Sequence, residues 1–188
     1  MRLFLSVKLP PALHCAAEAL QARLMPAIDD VKWAAPGQLH ITLYFLGETQ
    51  AGRLPALQAV LRGLEALPPL KLALCGAGAF PSSGRPQVLW CGVRDISGGL
   101  SVLYRRLGGL LREAGFSLED SAPFQPHITL GRVKKSSQGQ GAVLALGLEA
   151  SAESEPEAAS VVELVESRLS SAGPVYGVLA RAELRGKP

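Results

Sequence analysis

Apolar and polar positions along this chain switch period several times, and each switch marks an element. Residues 2–9 hold the apolar run Leu3-Phe4-Leu5-Ser6-Val7 and read as a strand. Pro10-Pro11 then opens a helix over 12–25, because proline suits the first turn, and Pro26 closes it. Lys32-Trp33 is a short extended piece before the Pro36-Gly37 turn, and residues 40–46 form a strand stopped by Gly47. A helix follows over 54–67. Strands over 70–76 and 87–93 are separated by a loop at 78–86, rich in Gly, Ser and Pro. Leu100, Leu103, Leu107, Leu110 and Leu111 recur at helical spacing, so 100–114 is a helix with Gly115 at its C-terminal cap. Residues 126–133 read as a strand, 134–141 as a polar loop and 143–148 as a short helix. Two alternating segments, 158–169 and 175–184, form a hairpin about a turn at 170–174.

This order predicts an α+β fold with a largely antiparallel sheet and helices outside it. At 188 residues the chain can bury a core without a disulfide or metal staple. A composition of 48% apolar and 19% charged residues excludes an intrinsically disordered chain. No stretch reaches the roughly 18 apolar residues of a membrane span. The opening apolar run is shorter than the core of a secretory signal, so it is expected to be a first strand and the protein cytoplasmic. Cys15, Cys75 and Cys91 are odd in number and lack C-x-x-C spacing. They predict neither a zinc site nor a disulfide framework, only buried or half-buried thiols. A net charge of +3 is a mild lean towards anionic partners. Its cations gather at Arg105, Arg106, Arg112, Arg132, Lys134 and Lys135, and acids gather over 149–157, read as an exposed linker or loop.

One feature of the chain carries chemistry. There are three histidines, His14, His40 and His127, and three threonines, Thr42, Thr49 and Thr129. Two of the histidines are followed two places later by threonine, in identical copies of His-Ile-Thr-Leu at residues 40–43 and 127–130. In a strand, residues i and i+2 share a face. His40 and Thr42 therefore face one way while Ile41 and Leu43 go into the core, and the second copy does the same. If a pseudo-two-fold axis relates the halves, the two polar pairs meet across a cleft. Two imidazoles supply a general acid and a general base near neutral pH. Two hydroxyls can donate to oxygens whose charge grows in a transition state. That set suits in-line displacement at phosphorus by water, with no metal and no other cofactor called for. His14 has no threonine partner and reads as a surface or interface residue.

The two copies resemble the paired H-x-T-x signatures of the 2H phosphoesterase superfamily. Further words resemble one branch, the RNA 2′,3′-cyclic phosphodiesterases once called 2′-5′ RNA ligases. These are Met1-Arg2-Leu3-Phe4, Leu9-Pro10, Trp33, Leu39 through Glu48, Arg85-Pro86-Gln87-Val88-Leu89-Trp90, Pro126 through Arg132, Leu164-Val165-Glu166-Ser167 and Tyr176. The resemblance implies one domain, residues 1–188, of two pseudo-symmetric, interleaved lobes. Each lobe is an antiparallel sheet backed by helices beside a central cleft, and each carries one motif. It implies metal-free opening of a terminal 2′,3′-cyclic phosphate on RNA to a 2′-phosphate. His40 would then protonate O3′ as proton donor, and His127 would activate water as proton acceptor. Thr42 and Thr129 would hold the non-bridging oxygens. The near symmetry of the site leaves the order of the two histidines open. The expected partners are RNA ends or nucleotides carrying the cyclic phosphate, with no membrane and no metal, and the expected state is a monomer. Alternatives are the same chemistry on small cyclic nucleotides or ADP-ribose cyclic phosphate, reversible 2′-5′ joining of RNA ends, and a non-catalytic RNA-binding module.

Three residues are expected to touch substrate. Tyr44 stands where the branch often has lysine, and by period two it shares the face of His40 and Thr42. Arg132 has an odd offset from His127, so a bend or bulge near Gly131 is needed to return it to the cleft as a phosphate clamp. Arg85 sits in the Gly/Ser/Pro loop, where binding groups often lie. Lys134 and Lys135 read as part of a solvated loop, with tracking of the RNA backbone as the alternative. Trp33 and Trp90 read as core or lobe-junction residues.

Overall fold

The computed structural model describes residues 1–82, 85–118, 123–134, 146–147, 149, 152–171 and 173–187. Among these, nine strands form one sheet: β1 (Arg2–Lys8), β2 (Val31–Trp33), β3 (His40–Glu48), β4 (Leu70–Phe80), β5 (Val88–Asp95), β6 (His127–Val133), β7 (Glu157–Ala159), β8 (Val161–Ser170) and β9 (Gly173–Glu183). Three helices accompany it: α1 (Pro11–Leu24), α2 (Leu54–Arg62) and α3 (Gly99–Glu113). The predicted α+β class with an antiparallel sheet is borne out. The predicted short helix at 143–148 and Lys135 lie largely or wholly outside the described residues.

The strand order is β7-β4-β5-β6-β3-β1-β8-β9, with β2 added alongside β6. Every pairing is antiparallel. The motif strands β3 and β6 are neighbours at the centre, and Ile41 opposite Ile128 is the pairing that joins them. Beyond that point β3 and β6 diverge, and β2 takes the place beside the end of β6. The sheet is thus two half-sheets hinged at the motifs. One is β3-β1-β8-β9, built from both ends of the chain, and the other is β6-β5-β4-β7.

Local chemistry explains the elements. Pro11 stands in the first turn of α1, where its missing N–H costs nothing. The Asp95 carboxylate at the end of β5 accepts from the Leu100 N–H at 2.8 Å and caps α3. Gly115 at φ +76° ends that helix, a conformation that favours glycine. Leu100, Leu103, Leu107 and Leu111 of α3 are fully buried, as are Leu3, Leu5 and Val7 of β1 and Ile41 and Ile128 of the motifs. Each such side chain contributes about 1.5–3 kcal/mol of burial. The Cys91 thiol is buried and pushed up to about 12 by desolvation, so it is inert packing.

Three boundaries differ from expectation. The predicted loop at 78–86 begins later, because β4 runs on to Phe80 and pairs with Val88–Trp90. Gly78 is there for packing: a Cβ on it would lie 2.3 Å from the Trp90 ring, which rests on that strand. The predicted strand 158–169 is two strands, β7 on β4 and β8 on β1, because the chain crosses between half-sheets at Ser160. The helix expected over 54–67 stops at Arg62 and continues as tight turns through Leu67. Two of the described acidic residues over 149–157 are tied to the rest of the fold by ion pairs. Glu149 pairs with Arg23 at 2.9 Å and Glu153 with Arg94 at 3.0 Å.

Candidate active site

The register sets the site. With Ile41 opposite Ile128, continuing the antiparallel ladder by one residue each way puts His40 opposite Thr129 and Thr42 opposite His127. Each histidine therefore faces the other copy's threonine, and the two rings are diagonal neighbours, roughly 7–8 Å apart at the backbone. The isoleucines between them are fully buried on the other face.

Both rings are held in the same way. His40 Nδ1 donates to the Gln38 carbonyl at 2.6 Å, and His127 Nδ1 donates to the Gln125 carbonyl at 2.8 Å. A carbonyl only accepts, so Nδ1 carries the proton and Nε2 is left as the working nitrogen on each ring. His40 Nε2 lies 3.0 Å from Thr42 Oγ1. The repeat is longer than the four residues read from the sequence. Each copy begins with a glutamine two places before the histidine, and that glutamine's carbonyl orients the ring.

Aromatic rings wall both histidines. Phe4 stacks on His40 with centroids 4.9 Å apart, and Tyr176 meets it edge-on at 5.6 Å. Phe80 meets His127 edge-on at 5.0 Å, with Trp90 beyond at 6.4 Å. This burial in apolar surroundings pushes both imidazoles below the usual histidine value, against the smaller opposing effect of the carbonyl partners. Charge on His127 lowers His40 further, and charge on Arg132 lowers His127 further. The two rings are close enough for His40 to sense the proton on His127.

A cleft is lined by His40, Thr42, Thr129, Arg132, Lys32 and Phe45, with Trp33, Gln38 and Tyr176 among its other walls. His127 is not among the residues that line it. No carboxylate is among the described residues that line it.

Bulges set the direction of the side chains just past each motif. On β6, Leu89 faces Gly131 but the next residue, Trp90, faces Thr129, so Leu130 is extra. On β3, Leu5 faces Tyr44 and Ser6 faces Thr42, so Leu43 is extra. An extra residue reverses the alternation of faces. Residues 40–46 and 127–133 consequently show the same order of buried and open positions. The Leu130 carbonyl in the bulge accepts from the Ala34 N–H at 2.9 Å and from Gln21 Nε2 of α1 at 2.8 Å, which locks it.

These bulges place the three expected substrate residues differently. Arg132 is returned to the cleft wall. Tyr44 is not, which corrects the reading from strict alternation. The extra Leu43 turns Tyr44 into the core, where it is 6% exposed and stacks on Tyr104 with centroids 4.4 Å apart. Phe45 occupies the position that Arg132 has in the other copy, and it lines the cleft while 69% exposed. Superposing the two copies residue by residue would have singled it out. Arg85 lies outside the described cleft wall and donates to the Lys134 carbonyl at 3.2 Å. Lys134 is beside Asp30 at 3.8 Å. Trp33 packs over Gly131, where a Cβ would lie 3.1 Å from its ring. His14 holds the Pro36 carbonyl at 2.8 Å and so steadies the turn that supplies Gln38.

Known proteins of similar sequence and fold place the chain in a family. A family model described as LigT like Phosphoesterase matches residues 7–90 and again 92–176, one motif in each match. The RNA 2′,3′-cyclic phosphodiesterase of Thermus thermophilus is 38% identical, over 100% of this chain and 92% of that one. A protein of the same name from Methanothermobacter thermautotrophicus is 33% identical, over 94% and 95% of the two chains. The crystal structure of TT0787 of Thermus thermophilus superposes with a TM-score of 0.81 at 31% identity, covering 100% of both chains. The resemblance drawn from the paired motifs is thereby borne out: with the LigT-like model matched once in each half, this chain belongs to the LigT-like, two-histidine phosphoesterases.

Proposed function

We propose that this protein hydrolyses the terminal 2′,3′-cyclic phosphate of RNA to a 2′-phosphomonoester, without a metal. His127 Nε2 takes a proton from water as the water oxygen bonds to phosphorus. The P–O3′ bond breaks, and His40 Nε2 delivers a proton to O3′. The observation that carries this reading is the opposed pair of rings. Each is fixed through Nδ1 to a carbonyl, which leaves Nε2 of each ring for proton transfer. Acid and base on either side of one phosphorus match in-line displacement. Thr42 and Thr129 donate to the non-bridging oxygens as charge builds there. Arg132 adds positive charge at the wall, and Phe45 gives the terminal base an exposed ring to stack on. The names of the relatives support RNA as the substrate class.

The test is an oligonucleotide ending in a 2′,3′-cyclic phosphate, incubated with the protein in excess EDTA. The expected product is the 2′-monoester, formed at the same rate with and without chelator. A 3′-monoester, or a reaction stopped by EDTA, contradicts the reading. In the same assay Phe45→Ala is expected to raise KM about tenfold, since stacking one base is worth about 1–3 kcal/mol. An unchanged KM removes Phe45 from the site.

A further inference from the structure

The glutamine that begins the first copy of the repeat uses its side chain as well as its carbonyl. Gln38 closes the turn Pro36–Gln38, and its N–H donates to the Ala35 carbonyl at 2.8 Å. Its Oε1 accepts from the Ala35 N–H at 3.2 Å. Its Nε2 donates to the Pro174 carbonyl, 136 positions further along the chain. Pro174 stands at the tip of the β8–β9 hairpin, next to Gly173, where that ladder ends. One residue therefore joins its own turn, the hairpin tip and, through its carbonyl, the His40 ring. Gln38 and Pro174 both line the cleft. The second copy differs. Gln125 gives His127 the same carbonyl, but Gln125 is exposed and its side chain makes no hydrogen bond among the described residues. The side-chain tie is thus no by-product of the repeat, since it serves one histidine only. A short exposed turn with few bonds of its own tilts easily, and a tilt would move the carbonyl that fixes the ring.

We propose that Gln38 is a positioning residue for His40: its side-chain amide holds the turn against the hairpin tip, so that its carbonyl keeps the ring aimed. What His40 does rests on the reaction proposed above; how its ring is held does not depend on turnover. A partner on one ring nitrogen sets the tautomer and the direction of the other. A general acid must reach its target within hydrogen-bond distance. A ring that swings meets the departing oxygen less often, which lowers kcat and leaves ground-state binding alone.

Gln38→Met tests this. Methionine keeps the length of the side chain and removes both polar atoms. Gln38 is half-buried on a turn, and the neighbouring Leu39 and Ile41 keep their places in the core, so the variant folds, as a thermal melt verifies. On an oligonucleotide ending in a 2′,3′-cyclic phosphate, kcat is expected to fall about ten- to a hundredfold, with KM changed by less than about twofold. The second readout is the titration of the His40 ring, followed by NMR. The carbonyl bond favours the charged ring, so loosening it moves the His40 titration to lower pH while that of His127 stays in place. The other groups facing His40 are untouched by the substitution: Lys8 of β1, Tyr176 of β9, His127 and Arg132 of β6, Lys32 of β2, and His14 and Glu163 on its far side. An unchanged kcat, a raised KM alone, or an unmoved His40 titration overturns the proposal. If the titration moves as expected while the wild-type protein leaves the oligonucleotide intact, the positioning role stands and the proposed reaction fails.

Discussion

Alanine in place of His40 or His127 is expected to lower kcat on a cyclic-phosphate-ended oligonucleotide by about 10²–10⁴-fold, the range for losing one positioned acid or base. Each ring is tied through Nδ1 to a local carbonyl, and the strands beneath are anchored by fully buried isoleucines. The fold should therefore survive both changes. His40→Ala forfeits stacking with Phe4, and His127→Ala forfeits the edge contact with Phe80. Such contacts are worth about 0.5–1.5 kcal/mol each, too little to unfold a domain. Single-turnover rates alongside thermal melts check this. A loss below tenfold from either change, in a folded protein, contradicts a role in proton transfer.

Thr42→Val and Thr129→Val are expected to have the next largest effect. Valine keeps the branched shape and removes only the hydroxyl. If the hydroxyls donate to oxygens that gain charge in the transition state, each change lowers kcat by about 10²–10³-fold and leaves KM nearly unaltered. Thr42 carries a second task, because its Oγ1 is 3.0 Å from His40 Nε2. Thr42→Val should therefore also shift the pH dependence, whereas Thr129→Val should not. A raised KM with unchanged kcat would mean that the hydroxyls bind only the ground state.

The candidate site was legible because it is written twice. Two identical words, each alternating polar and apolar residues, predict both a strand and a shared face. The pairing of those strands is a long-range event, and so is the placement of each histidine opposite the other copy's threonine. The bulges show where local reasoning stops. One extra residue returns Arg132 to the cleft, and the same device at Leu43 sends Tyr44 into the core and Phe45 outward. Strict alternation fails at both places, because nothing in a single strand records a residue its neighbour skips. Gly78 misled for a different reason: a glycine that admits the Trp90 ring looks, in sequence, like one that breaks a strand. Lys32 carried no signal at all, since its partner across the ladder is known only once β2 is seen beside β6.

The most direct test of two histidines acting on one phosphorus is the pH dependence of kcat/KM, taken for the wild type and for each alanine variant. As base, His127 must be neutral, so the rate falls as pH drops through its pKa. As acid, His40 must be protonated, so the rate falls as pH rises through its own. Burial lowers both from the usual 6.5, so the wild-type bell should peak on the acid side of 6.5. The residual rate of His127→Ala should lose the fall at low pH, and that of His40→Ala the fall at high pH. Both limbs persisting in either variant would contradict the account.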